Sequence, residues 1–268
     1  MSTYDLAETT ARSLLALWGT ATQTAGLDVP DMAAASRVTA SLRRLREARG
    51  ERVVGRKIGF SNTSIWPRYN IDRPMWNYVW DSTFASADDG AARLDLARLP
   101  EPRLEPEIVF RLASAPRADM DEAGLLGCIG QVAHGFEIVQ SVFPGWHFDA
   151  PTSAAAFGLH GALIAGPWHD IATDRLEWGI RLRDFTVELR RSGALRDTGH
   201  ARNVLGGPVA ALGHLVRALA ADPDAPPLSP GEVITTGTLT DAHSVTRGEV
   251  WDTVFHGIPL DGLQISFI

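Results

Sequence analysis

Two textures divide the chain. Over residues 4–18, Leu6, Leu14, Leu15 and Trp18 recur at loosely helical spacing. A clearer helix follows: Pro30 and Asp31 suit a first helical turn, and Ala35, Val38, Leu42 and Leu45 form one apolar stripe. Gly50 can close it. From Val53 the pattern shortens to β-like runs at 53–58, 78–84, 104–112, 135–142, 161–165, 180–190, 232–236 and 263–268. Turn pairs such as Ser192-Gly193, Pro230-Gly231 and Asp261-Gly262 separate them. Two helices are expected among the strands. One covers about 119–132, with Leu125, Leu126, Ile129 and Val132 inward. The other starts at Pro208 and uses Val209, Leu212, Leu215, Val216 and Leu219. Residues 221–230 hold four prolines and read as a loop. Regular βαβ alternation and a Gly-rich phosphate loop are both missing, which argues against a doubly wound parallel sheet. The pattern predicts an α+β chain, with a helical segment over 1–50 leading into a β-rich domain over 51–268.

The run Leu104-Glu105-Pro106-Glu107-Ile108-Val109-Phe110 carries the most chemistry. Side chains alternate along a strand, so Leu104, Ile108, Phe110 and Leu112 share a core face and Glu105 and Glu107 share the other. Adjacent carboxylates repel unless water or a cation separates them, and a hard divalent ion such as Mg²⁺ prefers oxygen ligands. On spacing alone, the pair reads as the solvated face of an edge strand, where Pro106 would also fit. A third acid tips the balance. Glu137 lies inside the apolar stretch Gly135-Phe136-Glu137-Ile138-Val139, where an acid needs a partner.

Composition narrows the field. The 268 residues are 45% hydrophobic, enough for a sizeable core, and the formal charge of −7 comes without a basic block. Arg43-Arg44-Leu45-Arg46 reads as the wet face of a helix rather than a nucleic-acid patch. The single cysteine, Cys128, excludes an internal disulfide and reads as a buried thiol. No secretory pattern opens the sequence, and no apolar run reads as long enough to span a bilayer. A soluble cytoplasmic protein with neither nucleic-acid nor membrane partner is expected.

Lys57 stands between glycines in Gly55-Arg56-Lys57-Ile58-Gly59, either snorkelling from a strand end or aimed into a cleft. Asp81 follows Tyr78-Val79-Trp80 as a turn residue or a strand-end acid/base. Thr235-Thr236-Gly237-Thr238 offers hydroxyls and a flexible backbone to a ligand carboxylate. His134 and His160 read as structural histidines. No zinc spacing or Gly-x-Ser-x-Gly elbow is present.

Taken in order, Gly55-Arg56-Lys57-Ile58-Gly59, Trp80-Asp81, Leu104-Glu105-Pro106-Glu107, Phe136-Glu137-Ile138-Val139 and Glu232-Val233-Ile234-Thr235-Thr236-Gly237-Thr238 resemble one family. It is the hydratase/decarboxylase branch of the fumarylacetoacetate hydrolase superfamily, whose members include 2-keto-4-pentenoate hydratases. The resemblance runs from about residue 50 to the C-terminus. It implies a mixed β-roll of that superfamily's C-terminal-domain type behind the helical lead-in. It also implies Mg²⁺ or Mn²⁺ held by Glu105, Glu107 and Glu137, with Lys57 and Asp81 catalytic. Thr236, Gly237 and Thr238 would line the carboxylate end of a short 2-oxo acid, with Arg68 and His160 as further substrate contacts. The expected reaction is hydration of 2-hydroxypenta-2,4-dienoate or an analogue. Alternatives are decarboxylation of a 4-oxalocrotonate-like diacid, with Arg56, Arg68 or Arg73 as its cationic pocket, acylpyruvate C–C hydrolysis, and a non-catalytic partner subunit. A homo-oligomer is expected, able to associate with a sister enzyme. Two segments depart from the family pattern: Ser153-Ala154-Ala155-Ala156-Phe157, and the aromatic-rich stretch over 61–69.

Overall fold

The computed structural model describes every residue except 1, 2, 64, 65, 70 and 72, and only the backbone at 68 and 69. Helices α1 (Thr3–Leu17) and α2 (Met32–Ala48) open the chain. The Asp31 side chain caps α2 by accepting from the Ala34 N–H at 2.7 Å, and Gly50 follows its end with φ +89°. Ala7, Ala11 and Leu14 pack with Val38 and Leu42 in one apolar cluster. That cluster also takes in Phe157 and the alanines of a later short helix.

Then come β1 (Val53–Gly59), α3 (Trp66–Tyr69), β2 (Met75–Trp80), β3 (Phe84–Ser86), β4 (Ala91–Leu94), β5 (Arg103–Leu112), α4 (Glu122–Cys128) and β6 (Ile129–Val139). They are followed by α5 (Ala150–Ala155), β7 (His160–Ala165), β8 (His169–Asp170), α6 (Arg175–Arg181), β9 (Thr186–Arg191), β10 (Ala194–His200) and α7 (Pro208–Ala221). The chain ends with β11 (Val233–Thr238), β12 (His243–Ser244), β13 (Val250–His256) and β14 (Gln264–Phe267). The main sheet runs β2-β1-β11-β5-β6-β7-β3, with β8 and β12 at its margins. It is mixed: β1 lies parallel to β11, whereas β5 is antiparallel to both β11 and β6. A second sheet, β10-β9-β13-β14-β4, packs on it through Leu104, Phe136, Ile138, Leu189, Trp251 and Ile265. Elsewhere Ile108, Phe110 and Ile129 pack with Leu212 and Leu215 of α7.

Several expectations are corrected. β5 is an interior strand, and both of its faces are buried: Ile108 and Phe110 on one, Glu107 and Val109 on the other, all at 0% exposure. Pro106 is tolerated there because its backbone faces Leu239, just past the end of β11, where only its carbonyl is used and accepts from the Leu239 N–H at 2.9 Å. The helix expected over 119–132 stops at Cys128, because the β-branched Ile129 and Val132 continue as β6. The run 78–84 is split by a turn at 81–83, and 180–190 begins inside α6, where Trp178 and Leu182 enter the core. Arg46 is buried, not wet: its guanidinium lies 4.5 Å from the ring centres of both Trp18 and Trp80 and pairs with Glu51. Residues Ala201–Ala221 are apolar and long enough to cross a membrane, yet most of this stretch is buried inside the protein.

Candidate metal centre

Strand alternation places Arg103, Glu105 and Glu107 on one side of β5. β6 pairs with β5 so that Glu137 lies directly across from Glu105. One carboxylate oxygen from each of the three acids falls within 4.8 Å of the others. Glu107 and Glu137 are fully buried, and the half-buried Glu105 faces a narrow cavity. Lys57, Met75, Arg103, Trp146, Phe148 and Thr238 also line that cavity.

Two of the three acids, Glu107 and Glu137, are held from behind. The Gly237 N–H donates to Glu107 Oε2 at 2.7 Å. His160 Nδ1 donates to Glu137 Oε1 at 2.8 Å, and the Thr83 hydroxyl meets His160 Nε2 at 2.9 Å. His134 Nδ1 donates to the Glu107 carbonyl at 3.0 Å. Lys57 Nζ lies 3.3 Å from Glu137 Oε2 and donates to the Gly158 carbonyl at 3.0 Å. That carbonyl sits in three successive residues, Phe157, Gly158 and Leu159, with φ of 59°, 58° and 64°. A left-handed conformation costs a non-glycine residue roughly 1–2 kcal/mol. Phe60 and Trp146, with φ of 54° and 61°, line the same cavity as Leu159. Strain of this kind persists where the surroundings over-determine it, typically at functional sites.

Electrostatics match the geometry. Burial pushes Glu105 up to about 7, opposed by Lys57 and Arg103 and reinforced by Glu137. Burial, then Glu137 and Glu105, push Glu107 well above the ordinary range. Glu137 goes the other way: burial is overcome by Lys57 and the His160 hydrogen bond, and its carboxylate is favoured. Burial disfavours the charge on Lys57, but Glu137, Glu105 and Glu107 outweigh it and hold the amine protonated. Burial lowers His160 despite Glu137, and lowers His134 to about 4, so both rings are neutral at pH 7. Glu107 Oε1 is buried without a hydrogen-bond partner, and Glu137 Oε2 meets only the Lys57 ammonium, at 3.3 Å. Three acids against one lysine, with an oxygen from each within 4.8 Å of the others, fit a hard divalent cation.

Not every predicted site residue gathers here. Asp81 sits in the turn after β2, where its carboxylate accepts from the Arg52 backbone and guanidinium at 3.0 and 3.1 Å, outside the cavity. The Thr236 hydroxyl donates to the Ile108 carbonyl at 3.0 Å rather than facing a ligand. Gly237 supports Glu107, and Thr238 alone of the three lines the cavity. His160 stands behind Glu137, not at the cavity wall. The side chains of Arg68 and Tyr69 lie outside the described residues. Arg56 pairs with Glu232 at 2.7 Å under Tyr78, away from the acids, and Arg73 lines a separate groove beside α2 and α7. The buried Tyr78 and Trp80 rings pack on Arg56 and Arg46 instead of lining the site.

Gly237 yields a prediction. Its φ is +100°, and a Cβ there would sit 1.9 Å from Ser61 Oγ. Gly237→Ala is expected to destabilise the fold by about 2 kcal/mol or more through strain and overpacking. It also moves the N–H that fixes Glu107, so divalent affinity falls. Urea unfolding and calorimetric Mg²⁺ titration check the two effects separately.

No family model matches the chain. Among curated proteins, 2-hydroxyhexa-2,4-dienoate hydratase of Comamonas testosteroni is 31% identical over 229 residues, which are 83% of this chain and 82% of that one. The chain belongs to the family of this hydratase, and its fold is that of the hydratase/decarboxylase branch of the fumarylacetoacetate hydrolase superfamily. Within this branch, a 4-oxalocrotonate decarboxylase from Pseudomonas sp. (strain CF600) is 29% identical over 241 residues, 86% of this chain and 85% of its own. The solved 4-oxalocrotonate decarboxylase from Pseudomonas putida G7, complexed with magnesium and adipate, superimposes with a TM-score of 0.90. The match is 21% identical and covers 100% of this chain and 99% of the other. The branch thus places the helical lead-in and the mixed β-roll together on one chain, as they occur here.

Proposed function

We propose that the chain is a divalent-metal-dependent lyase acting on a short 2-oxo acid in its enol form. The reading is hydration of 2-hydroxypenta-2,4-dienoate, or a substituted analogue, to a 4-hydroxy-2-oxo acid. The observation that carries it is the convergence of Glu105, Glu107 and Glu137, with Glu107 Oε1 unpartnered, beside a cavity shared with Lys57. These three carboxylates would hold Mg²⁺ or Mn²⁺. When bound, such an ion supplies Lewis-acid stabilisation of negative charge on a substrate oxygen.

The chain's own groups do the rest. Lys57, kept protonated by the acids around it, places a fixed positive charge where the substrate C2 oxygen becomes anionic. Ketonisation moves a proton from the C2 hydroxyl to C5, and the resulting conjugated ketone makes C4 electrophilic. Water oxygen then bonds to C4, and a proton is delivered to C3. With Asp81 turned outward, Glu105 is the carboxylate at the cavity wall able to orient that water. Thr238 and the apolar walls of Met75, Val139 and Phe148 confine the chain of the substrate and limit access of bulk water.

All these residues fall within 51–268, and we assign the catalytic chemistry to that part. The reading carries with it a soluble, cytoplasmic homo-oligomer able to associate with a sister enzyme. Acylpyruvate hydrolysis is disfavoured, since His160, the nearest base able to activate water, is committed to Glu137 and Thr83. A non-catalytic partner subunit has no use for three clustered buried acids set against a single lysine. Decarboxylation of a 2-oxo diacid is the second reading, favoured by a cation, Arg103, in the same cavity.

The test uses metal-stripped protein given 2-hydroxypenta-2,4-dienoate or 4-oxalocrotonate, with and without added Mg²⁺. Hydration is expected to put oxygen from labelled water into the product of the first substrate; CO₂ release from the second would favour decarboxylation. Full turnover with metal verified absent would sink both.

A further inference from the structure

Lys57 is aimed by a turn that local preference does not support. Its Nζ donates to the Gly158 carbonyl at 3.0 Å, and Phe157, Gly158 and Leu159 take left-handed φ of 59°, 58° and 64°. Glycine adopts this conformation freely; phenylalanine and leucine do not. Two of the three residues are held within the strand domain. The Leu159 N–H donates to the Ala156 carbonyl at 3.0 Å, and the Leu159 carbonyl accepts from the Gln140 N–H at 2.8 Å. Gly158 lies so close to β2 that a Cβ there would sit 2.7 Å from the Asn77 Cβ. Phe157 is held differently. Its buried ring packs on the Trp18 indole, with ring centres 4.6 Å apart.

Trp18 comes from the helical lead-in, one residue past the end of α1. Its indole is fixed in turn. The buried Arg46 guanidinium of α2 lies 4.5 Å from the Trp18 ring centre and 4.5 Å from that of Trp80. A stacked guanidinium keeps its in-plane N–H groups for other partners, and Arg46 spends them on Glu51 and on the Ser82 hydroxyl at 3.2 Å. Such cation–π contacts strengthen where water is excluded. Trp80 ends β2, and β2 pairs with β1 so that Asn77 lies opposite Lys57 and Trp80 opposite Val53. The contacts close a circuit. It runs from Lys57 along the paired strands to Trp80, then through Arg46, Trp18 and Phe157, and returns to the ammonium through the Gly158 carbonyl.

We propose that Trp18 is a positioning residue for Lys57: through Phe157 it holds the strained turn whose carbonyl aims the ammonium at the acid cluster. The segment ahead of residue 51 thereby takes part in turnover without contributing a catalytic group. The inference rests on the lyase reading, in which Lys57 places its charge at the substrate C2 oxygen. Trp18 is not among the residues that line the cavity, and it makes no bond to the three acids. Its loss therefore changes where Lys57 sits and leaves the metal ligands in place. A catalytic group displaced by about an ångström can lower a rate by up to about 10²-fold.

A double-mutant cycle on the Mg²⁺-loaded full chain tests this, with 2-hydroxypenta-2,4-dienoate as substrate and W18L, K57M and W18L/K57M as variants. W18L is expected to lower kcat by about tenfold or more and to leave Mg²⁺ affinity within about twofold of the parent. In the K57M background, W18L is expected to change the residual turnover by less than about twofold, because the group it positions is gone. W18F keeps a ring against Phe157 and is expected to recover turnover to within about threefold of the parent. Unimpaired turnover in W18L overturns the proposal. So does an equal fold-loss in both backgrounds, the mark of a merely structural role. Should W18L fail to fold, F157L removes the other half of the contact and is judged by the same criteria. A wild type without turnover, or a K57M variant as active as the wild type, removes the lyase reading or the role of Lys57, and this proposal with it. An active wild type and an impaired K57M beside an unimpaired W18L remove the positioning role alone.

Discussion

Glu107→Gln is expected to abolish tight Mg²⁺ binding and to lower turnover by about 10³-fold or more, while leaving the metal-free protein at least as stable as the parent. The first half follows from the donor set. Glu107 Oε1 is buried, unpartnered and within reach of oxygens from Glu105 and Glu137. An amide there removes a charge and can turn N–H groups toward the cation. Loss of several kcal/mol of charge stabilisation corresponds to that drop in rate. The second half follows from the upward push on Glu107, which comes from burial first and then from Glu137 and Glu105. A neutral isostere relieves a buried carboxyl that resists ionisation. Thermal melting with and without Mg²⁺ checks both halves: the variant keeps its metal-free midpoint and loses the metal-induced rise.

The same acids set a pH dependence. Glu105 is raised from 4.5 to about 7. Between those values the unfolded chain has released a proton that the folded, metal-free protein still holds. The unfolded state therefore binds fewer protons, and metal-free stability falls as pH rises across that window. Mg²⁺ binds the ionised form, so its affinity rises over the same window. The stabilisation by Mg²⁺ is expected to be small at pH 5 and large at pH 8. A metal-induced shift independent of pH would mean that these carboxyls do not meet the ion.

Much of this centre is legible in the sequence, because strand alternation is a local rule. Leu104, Ile108 and Phe110 fix the phase of β5, and Glu105 and Glu107 must then share a face. Arg103 obeys the same parity, i, i+2, i+4 with the two acids. That shared parity marks Arg103 in a way that the positions of Arg56, Arg68 and Arg73 do not. Asp81 misleads because a turn aspartate and a strand-end acid look alike until the partner, Arg52, is placed 29 residues back. The support of Lys57 comes from the Gly158 carbonyl, 101 residues away, and depends on a left-handed turn through Phe157 and Leu159 that no propensity predicts. Ile129 and Val132 fit a helical stripe and a strand equally, and the pairing of β6 with β5 decides between them. β10, rich in charged and polar residues, gives too weak an alternation to be read as a strand, and in β13 the apolar residues come in adjacent pairs, Val250-Trp251 and Val254-Phe255, instead of alternating.

Lys57→Met is expected to give the opposite signature to Glu107→Gln: Mg²⁺ binding is kept or tightened, and turnover falls by about 10²–10⁴-fold. The methionine preserves length and apolar bulk and removes the charge. That charge lies 3.3 Å from Glu137 Oε2 and competes with any cation for the carboxylate. Removing it should leave the acid cluster a stronger trap for Mg²⁺ and for oxalate bound with it. The metal-free variant should be less stable by about 3–5 kcal/mol at neutral pH, the usual effect of stranding a buried charge. Glu137, held ionised by Lys57 and His160, then loses its main partner. Added Mg²⁺ should restore much of that stability without restoring turnover. This separation of binding from catalysis is what a proton-carrying or oxygen-polarising role for Lys57 requires. Should K57M lose Mg²⁺ and oxalate binding together with turnover, Lys57 would be a support for the acids, and the positive charge on the substrate C2 oxygen would have to come from elsewhere in the cavity.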